Sequence, residues 1–228
     1  HVTGLVICFI TAYRKDFRVV SVRFEKRYRQ VRIRSRWNDK GRKRSLEDVG
    51  GALAFIEWRI AGQALLNLEN EGFQTDTQRQ RLDVLQEICA FLIHVTDRLV
   101  HEDMGDEERQ RFIVALALKL ADTYHDNRVD SDGRGEDFRQ PFIATLNSRM
   151  AEYAEFRFED GVPGYAVKRY LGERVTETMG PRDRKWISDQ VMEIEIPEML
   201  ETLNKGLEGL FNSGNTEKGE VANSAQSS

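Results

Sequence analysis

"FIVALALKLA", residues 112–121, is the stretch on which the fold turns. Its side chains are apolar nearly all round a helix, Lys119 being the one charge, so a helix here must be covered on several sides. The longest apolar runs of the chain are about ten residues, against the roughly 20 needed to cross a bilayer. The stretch therefore predicts the central helix of a bundle and no membrane span. Asp106 is placed to cap this helix, with Glu107 and Glu108 favourably sited in the first turn near the positive end of the helix dipole. The polar run "DNRVDSDGRGED", residues 126–137, has two glycines and reads as the loop that follows.

Helical patterns flank this centre on both sides. Ser45 with Asp48 resembles a capping box, and "ALAFIEWRIAGQALLNLENEG" keeps helical spacing until Gly72, which predicts a helix over 46–70. Thr75 to Thr77 offer caps for a second helix, whose Leu82, Leu85, Cys89, Leu92 and Leu99 form one stripe ending near Met104 and Gly105. A fourth helix is expected over 138–157, with Pro141 confined to its first turn, and a fifth over 164–179, stopped by Gly180 and Pro181. Residues 182–195 and 198–211 predict a sixth and a seventh, or one helix broken at Pro197. The expectation is an all-α protein, a compact bundle of six or seven helices over 45–211.

The ends differ from this body. The net charge of −4 hides an imbalance, because residues 1–44 carry 14 Lys and Arg against 3 Asp and Glu, leaving 20 against 35 in the remainder. Three readings of the basic extension stand: an arm for nucleic acid, a short hairpin on the period-two pattern Val20, Val22, Phe24, Val31, Ile33, or a segment that is not native to the protein, since the first methionine is Met104. The tail 212–228 has too few apolar groups to offset its ordering entropy and is expected to be disordered. Two cysteines, Cys8 and Cys89, in separate segments argue against a disulfide framework and for a reducing, cytoplasmic setting.

Candidate chemistry is sparse. In "FLIHVTDRLVHED", residues 91–103, His94, Asp97 and His101 recur at steps of three and four. At 100° per residue they point roughly 140–200° away from the leucine stripe, the pattern of a solvated face. A metal-dependent hydrolase or oxidase would need them to converge with Asp122 and His125 of the next helix. An antiparallel hairpin through Gly105 instead sets His101 beside the start of that helix and carries His125 away from His94. The His125–Asp126 doublet occurs in metal-dependent phosphohydrolases of the HD type, but a doublet arises often by chance and the remaining His and Asp of that pattern are not convincingly placed. "DSDGRGED" fails as a calcium loop, since with Gly133 at position six the first and twelfth positions are Arg128 and Arg139. Cys89 lies on the apolar stripe, where a thiol is buried and unreactive.

Two surface motifs complete the set. Arg182, Arg184 and Lys185 of "GPRDRKW" stand at a helix start, where exposed N–H groups and cations together can hold an anion, or where they pair with neighbouring carboxylates. The amphipathic run Ile196, Leu200, Leu203, Leu207, Leu210 and Phe211 either packs on the bundle or docks into a protein partner or a second copy. No cofactor-binding loop occurs. The function expected from these residues is protein–protein interaction or self-association without catalysis.

Overall fold

The computed structural model describes residues 45–133, 135–159, 161–182 and 184–212. The basic extension 1–44 and the tail from 213, with the arm, hairpin and disorder readings made of them, lie outside the described residues. The elements are α1 (Leu46–Asn70), α2 (Gln78–Val100), α3 (Asp106–Asp132), α4 (Arg139–Ala154), β1 (Phe158–Glu159), β2 (Val162–Pro163), α5 (Tyr165–Met179), α6 (Arg184–Gln190), a π-helical turn (Val191–Glu195) and α7 (Ile196–Asn212). The protein is an all-α bundle, and the two antiparallel strands are a two-residue ribbon between α4 and α5.

Local signals start most of these elements. Ser45 accepts from the Asp48 N–H at 3.1 Å and Asp48 accepts from the Ser45 N–H at 3.0 Å, a complete capping box. Thr77 caps α2 through the Gln80 N–H. For α3, Gly105 takes the cap position without a side-chain bond, and Asp106 is the first helical residue. This helix also outruns its expected end by seven residues, 126–132, and stops only at Gly133, whose φ of +93° suits glycine. The extension is held from outside the helix: buried Arg128 reaches Asp83 of α2 at 2.9 Å and Asp132 at 2.8 Å, so residues that read as loop are tied down as a final helical turn.

The expected break at Pro197 is a bulge. A proline ring clashes with the carbonyl four residues earlier, here Glu193. The chain widens to a π-helical turn over Val191–Glu195, with the Ile196 N–H reaching back to the Val191 carbonyl, so α6 and α7 follow one continuous helical path.

Small residues set the helix spacings. α1 and α3 run parallel, Glu47 meeting Arg111 and Gly50 lying against Phe112 and Ala115. A Cβ on Gly50 would stand 2.9 Å from the Phe112 carbonyl oxygen, whereas one on Gly51 would meet nothing within 4 Å. Gly50→Ala is therefore expected to lose about 1–3 kcal/mol to overpacking despite alanine's better helix propensity. Gly51→Ala should gain up to about 1 kcal/mol, and urea unfolding of the two variants checks the contrast.

The centre of the bundle is α2, a correction to the expectation that residues 112–121 would hold it. α1, α3, α4 and α5 all pack on α2, and it is buried on every side from Val84 to Asp97. α3 keeps Leu118 and Lys119 at the surface. The reason lies in polar partners. α2 can be buried all round because its neighbours supply a matching group for most of the polar residues it carries inside, Glu87, Thr96 and Asp97 among them.

Candidate functional site

The polar side of α2 shows this. Its direction is as the sequence predicts, opposite the stripe, but it is not a solvated face: His94 is fully buried and Asp97 is 4% exposed, while His101 is exposed at the helix end. The surrounding helices reach that side as well as the other. Asp97 accepts from Arg109 of α3 at 3.3 and 3.4 Å, and Arg109 is itself buried. Burial pushes the Asp97 carboxyl up, with Arg109 pulling against it. Glu87 is gripped by both ends of the Arg149 guanidinium at 2.6 and 2.8 Å, and Arg149 passes on to Glu152, which accepts from the Tyr170 hydroxyl.

Glu57 and His94 lie in the interior with polar atoms that no hydrogen bond meets. Glu57 of α1 is fully buried; its Oε1 accepts from the Thr96 hydroxyl at 2.7 Å and its Oε2 has no partner. Burial pushes this carboxyl up to about 8, against the opposing pull of the Thr96 bond. The His94 ring stacks on Tyr153, with centroids 5.0 Å apart and planes 18° from parallel, and stands edge-on to Phe158. Neither ring nitrogen nor the Tyr153 hydroxyl has a hydrogen-bond partner. Burial, helped by Arg98, holds His94 down at about 3, so it is neutral.

The five candidate metal ligands do not meet. His94 is sealed among aromatic rings, Asp97 is held by Arg109, and His101 lies at the surface. Asp122 accepts from Arg139 at 2.5 Å, and His125 accepts the Phe138 N–H at 3.2 Å through Nδ1. The antiparallel pairing of α2 with α3 separates them as foreseen, Asp97 facing Arg109 while Asp83 faces Tyr124 and Arg128. Among the described residues, no three His, Cys, Asp or Glu side chains are grouped to hold a metal ion.

Of the anion candidates, Arg182 donates to Asp76 and to Gln74, so its charge is already met, and the side chains of Arg184 and Lys185 lie outside the described ones. Of the partner-binding candidates, Leu200, Leu203 and Leu207 are buried and Leu210 and Phe211 are half-buried, all packed on the bundle's own core. Of the two readings of this run the packed one describes its place here: a Cβ on Gly206 would stand 3.0 Å from Ile56, so α7 lies close against α1. Cys89 is fully buried and its thiol is pushed well up by burial, then by nearby Glu57. On a Cys8→Ser background, a thiol reagent is expected to label Cys89 only as fast as the protein unfolds; labelling in seconds under native conditions would contradict its burial.

What remains open is the outward side of α1. Counting 100° per residue, its buried residues from Val49 to Leu68 fill one arc, and Phe55, Arg59, Gly62 and Leu66 fall within about 60° on the opposite side. Phe55 is 65% exposed and Leu66 45%, and the Arg59 guanidinium lies 6.0 Å from the Phe55 ring centroid. Arg59, Gly62 and Leu66, but not Phe55, line a groove of about 580 Å³ that also takes in Trp58, with Arg81 of α2, Asn127 of α3 and Glu198 and Thr202 of α7 around it. A helix already covered by three others has no packing reason to carry a phenylalanine and a leucine into water. The signal was present in the sequence as apolar residues on both sides of one helix, and the spacing test applied there registered only that the residues recur. No helix of the described residues is long and apolar enough to cross a membrane. No family model, curated protein or solved structure matches this chain.

Proposed function

We propose that this chain is a cytoplasmic binding protein that acts through the outward face of α1 by contacting another protein, with no catalysis of its own. The observation that supports the reading is the Phe55–Leu66 strip. Large apolar groups exposed along one helix face beside a groove mark a candidate protein contact, and aromatic and arginine side chains such as Phe55, Trp58 and Arg59 belong to the types enriched in interfaces. Glu87, Thr96 and Asp97 of α2 are read as internal ties, each bonded to a neighbouring helix.

The test is affinity isolation of the full chain from its own cells, run beside Phe55→Glu and Leu66→Glu variants. Both positions are exposed, so these variants should fold normally by circular dichroism. The reading expects a bound protein that both variants lose. An identical set of co-purifying proteins in all three preparations would overturn it.

A further inference from the structure

We infer that the end of the groove between α1 and the start of α7 is a binding site for a small organic amine, with its ammonium group held between Glu195 and Glu198 and its apolar part along Leu66 and Met199. The inference goes beyond the protein contact read on the outward strip of α1 and does not depend on it.

Glu195 is the last residue of the π-helical turn, and Glu198 and Met199 follow it at steps of three and four, so the three share one flank of the helical path. All three line the groove together with Leu66 and Asn67 of α1. The Asn67 side-chain amide donates to both carboxylates, to Glu195 Oε2 at 3.0 Å and to Glu198 Oε2 at 3.3 Å, and the Gln190 amide donates to Glu195 Oε1 at 3.2 Å. Two carboxylates sharing one amide nitrogen are close neighbours, and like charges so placed disfavour one another. Burial, and after it the charges of Glu198 and Glu71, push the Glu195 carboxyl up against the pull of the two amides.

The pair lacks a positive charge. Elsewhere in the bundle Asp97 has Arg109, Glu87 has Arg149 and Asp83 has Arg128. Glu195 is 2% exposed, yet its partners are neutral amides, and among the described residues neither it nor Glu198 is in an ion pair. The two arginines that line the groove do not supply the charge: Arg81 pairs with Glu69 at 3.0 Å, and Arg59 stands two turns before Asn67, about 12 Å along α1. Glu57, also buried without a cation, lies away from the groove and keeps its proton instead. An ammonium group brings the charge and has hydrogens for both carboxylates. Leu66 and the buried Met199 offer apolar surface beside it, and about 580 Å³ lies within the range of small-molecule sites, about 300–1,000 Å³.

Titration of the full chain with phenylbutylamine, phenylbutanol and phenylbutyrate, followed by NMR near neutral pH, presents one apolar body with a positive, a neutral and a negative head. The amine is expected to bind with a Kd on the order of 0.1–1 mM and to shift the side-chain amide resonances of Asn67 and Gln190. The alcohol and the carboxylate should bind at least about 10-fold more weakly. Glu198→Gln, at an exposed position, should weaken the amine by about 10-fold, and Glu195→Gln by about 10-fold or more in a chain whose circular dichroism matches the wild type. Equal affinity for amine and alcohol would overturn the site, as would amine binding undiminished in Glu198→Gln. No movement of the Asn67 and Gln190 amides up to about 10 mM amine would overturn it as well.

Discussion

Glu57→Gln is expected to raise the stability of the fold by about 3 kcal/mol at pH 7 and to leave it almost unchanged at pH 4. In the unfolded chain Glu57 ionises near its ordinary 4.5; in the folded protein it keeps its proton until about 8. Between those values the folded state binds one proton more than the unfolded state, so stability falls as pH rises, by about 1.4 kcal/mol per unit. The contribution is fully present below 4.5 and is lost progressively up to 8. Glutamine has nothing to ionise, and its amide stands in for the protonated carboxyl without changing the packing against Thr96. The difference in unfolding free energy between variant and wild type should therefore be flat below pH 4.5, grow linearly to pH 8 and then level off. A constant offset between the two curves would mean that Glu57 is not held neutral in the core.

His94 works in the opposite direction. Held down at about 3 against an ordinary 6.5, it is a group that the unfolded chain protonates first, so between 3 and 6.5 it makes stability rise with pH. The windows of Glu57 and His94 overlap from 4.5 to 6.5, where their slopes are equal and opposite. Their joint contribution should rise from pH 3 to 4.5, hold level to 6.5 and fall to 8. Glu57→Gln removes the fall and extends the rise to 6.5.

These two residues show where sequence reasoning stops. Helical period and caps carried the fold class: the capping box at Ser45, the Thr77 cap, the glycine stop at Gly180 and the leucine stripe of α2 all lie where the pattern puts them. The direction of His94 and Asp97, away from that stripe, was also legible, because it follows from 100° per residue alone. Whether that direction led to water was not. The partners that make it interior are Arg149 with Glu87 at a separation of 62 residues and Arg109 with Asp97 at 12. An angle on one helix carries no information about which helix will arrive there. The same limit explains the last turns of α3, which read as loop by composition and are helix because Arg128 has Asp83 to hold. The α1 face was overlooked for a different reason, since a run apolar on two sides passes the test for one apolar side.

Arg109→Ala is expected to destabilise the bundle by about 3–5 kcal/mol, a third or more of the total for an ordinary domain, lowering Tm by about 10 °C. Arg109 and Asp97 are both within 4% of complete burial, and their contacts at 3.3 and 3.4 Å are at the long end for a charge-assisted pair. The attraction therefore offsets the desolvation of the two groups only in part, as the raised Asp97 carboxyl indicates. Removing the guanidinium leaves a buried carboxylate with no cation against it, and most of the loss comes from that stranded charge. Taking away both charges should be milder than taking away one: Asp97→Leu with Arg109→Met replaces the pair by apolar volume in an apolar setting and should lose about 1–2 kcal/mol or less. A double-mutant cycle by urea unfolding, with Asp97→Leu and Arg109→Met as the single variants, reads the coupling directly. If the double variant loses as much as the two single variants together, Asp97 and Arg109 do not act as a pair, and the account of how polar residues are tolerated around α2 fails with them.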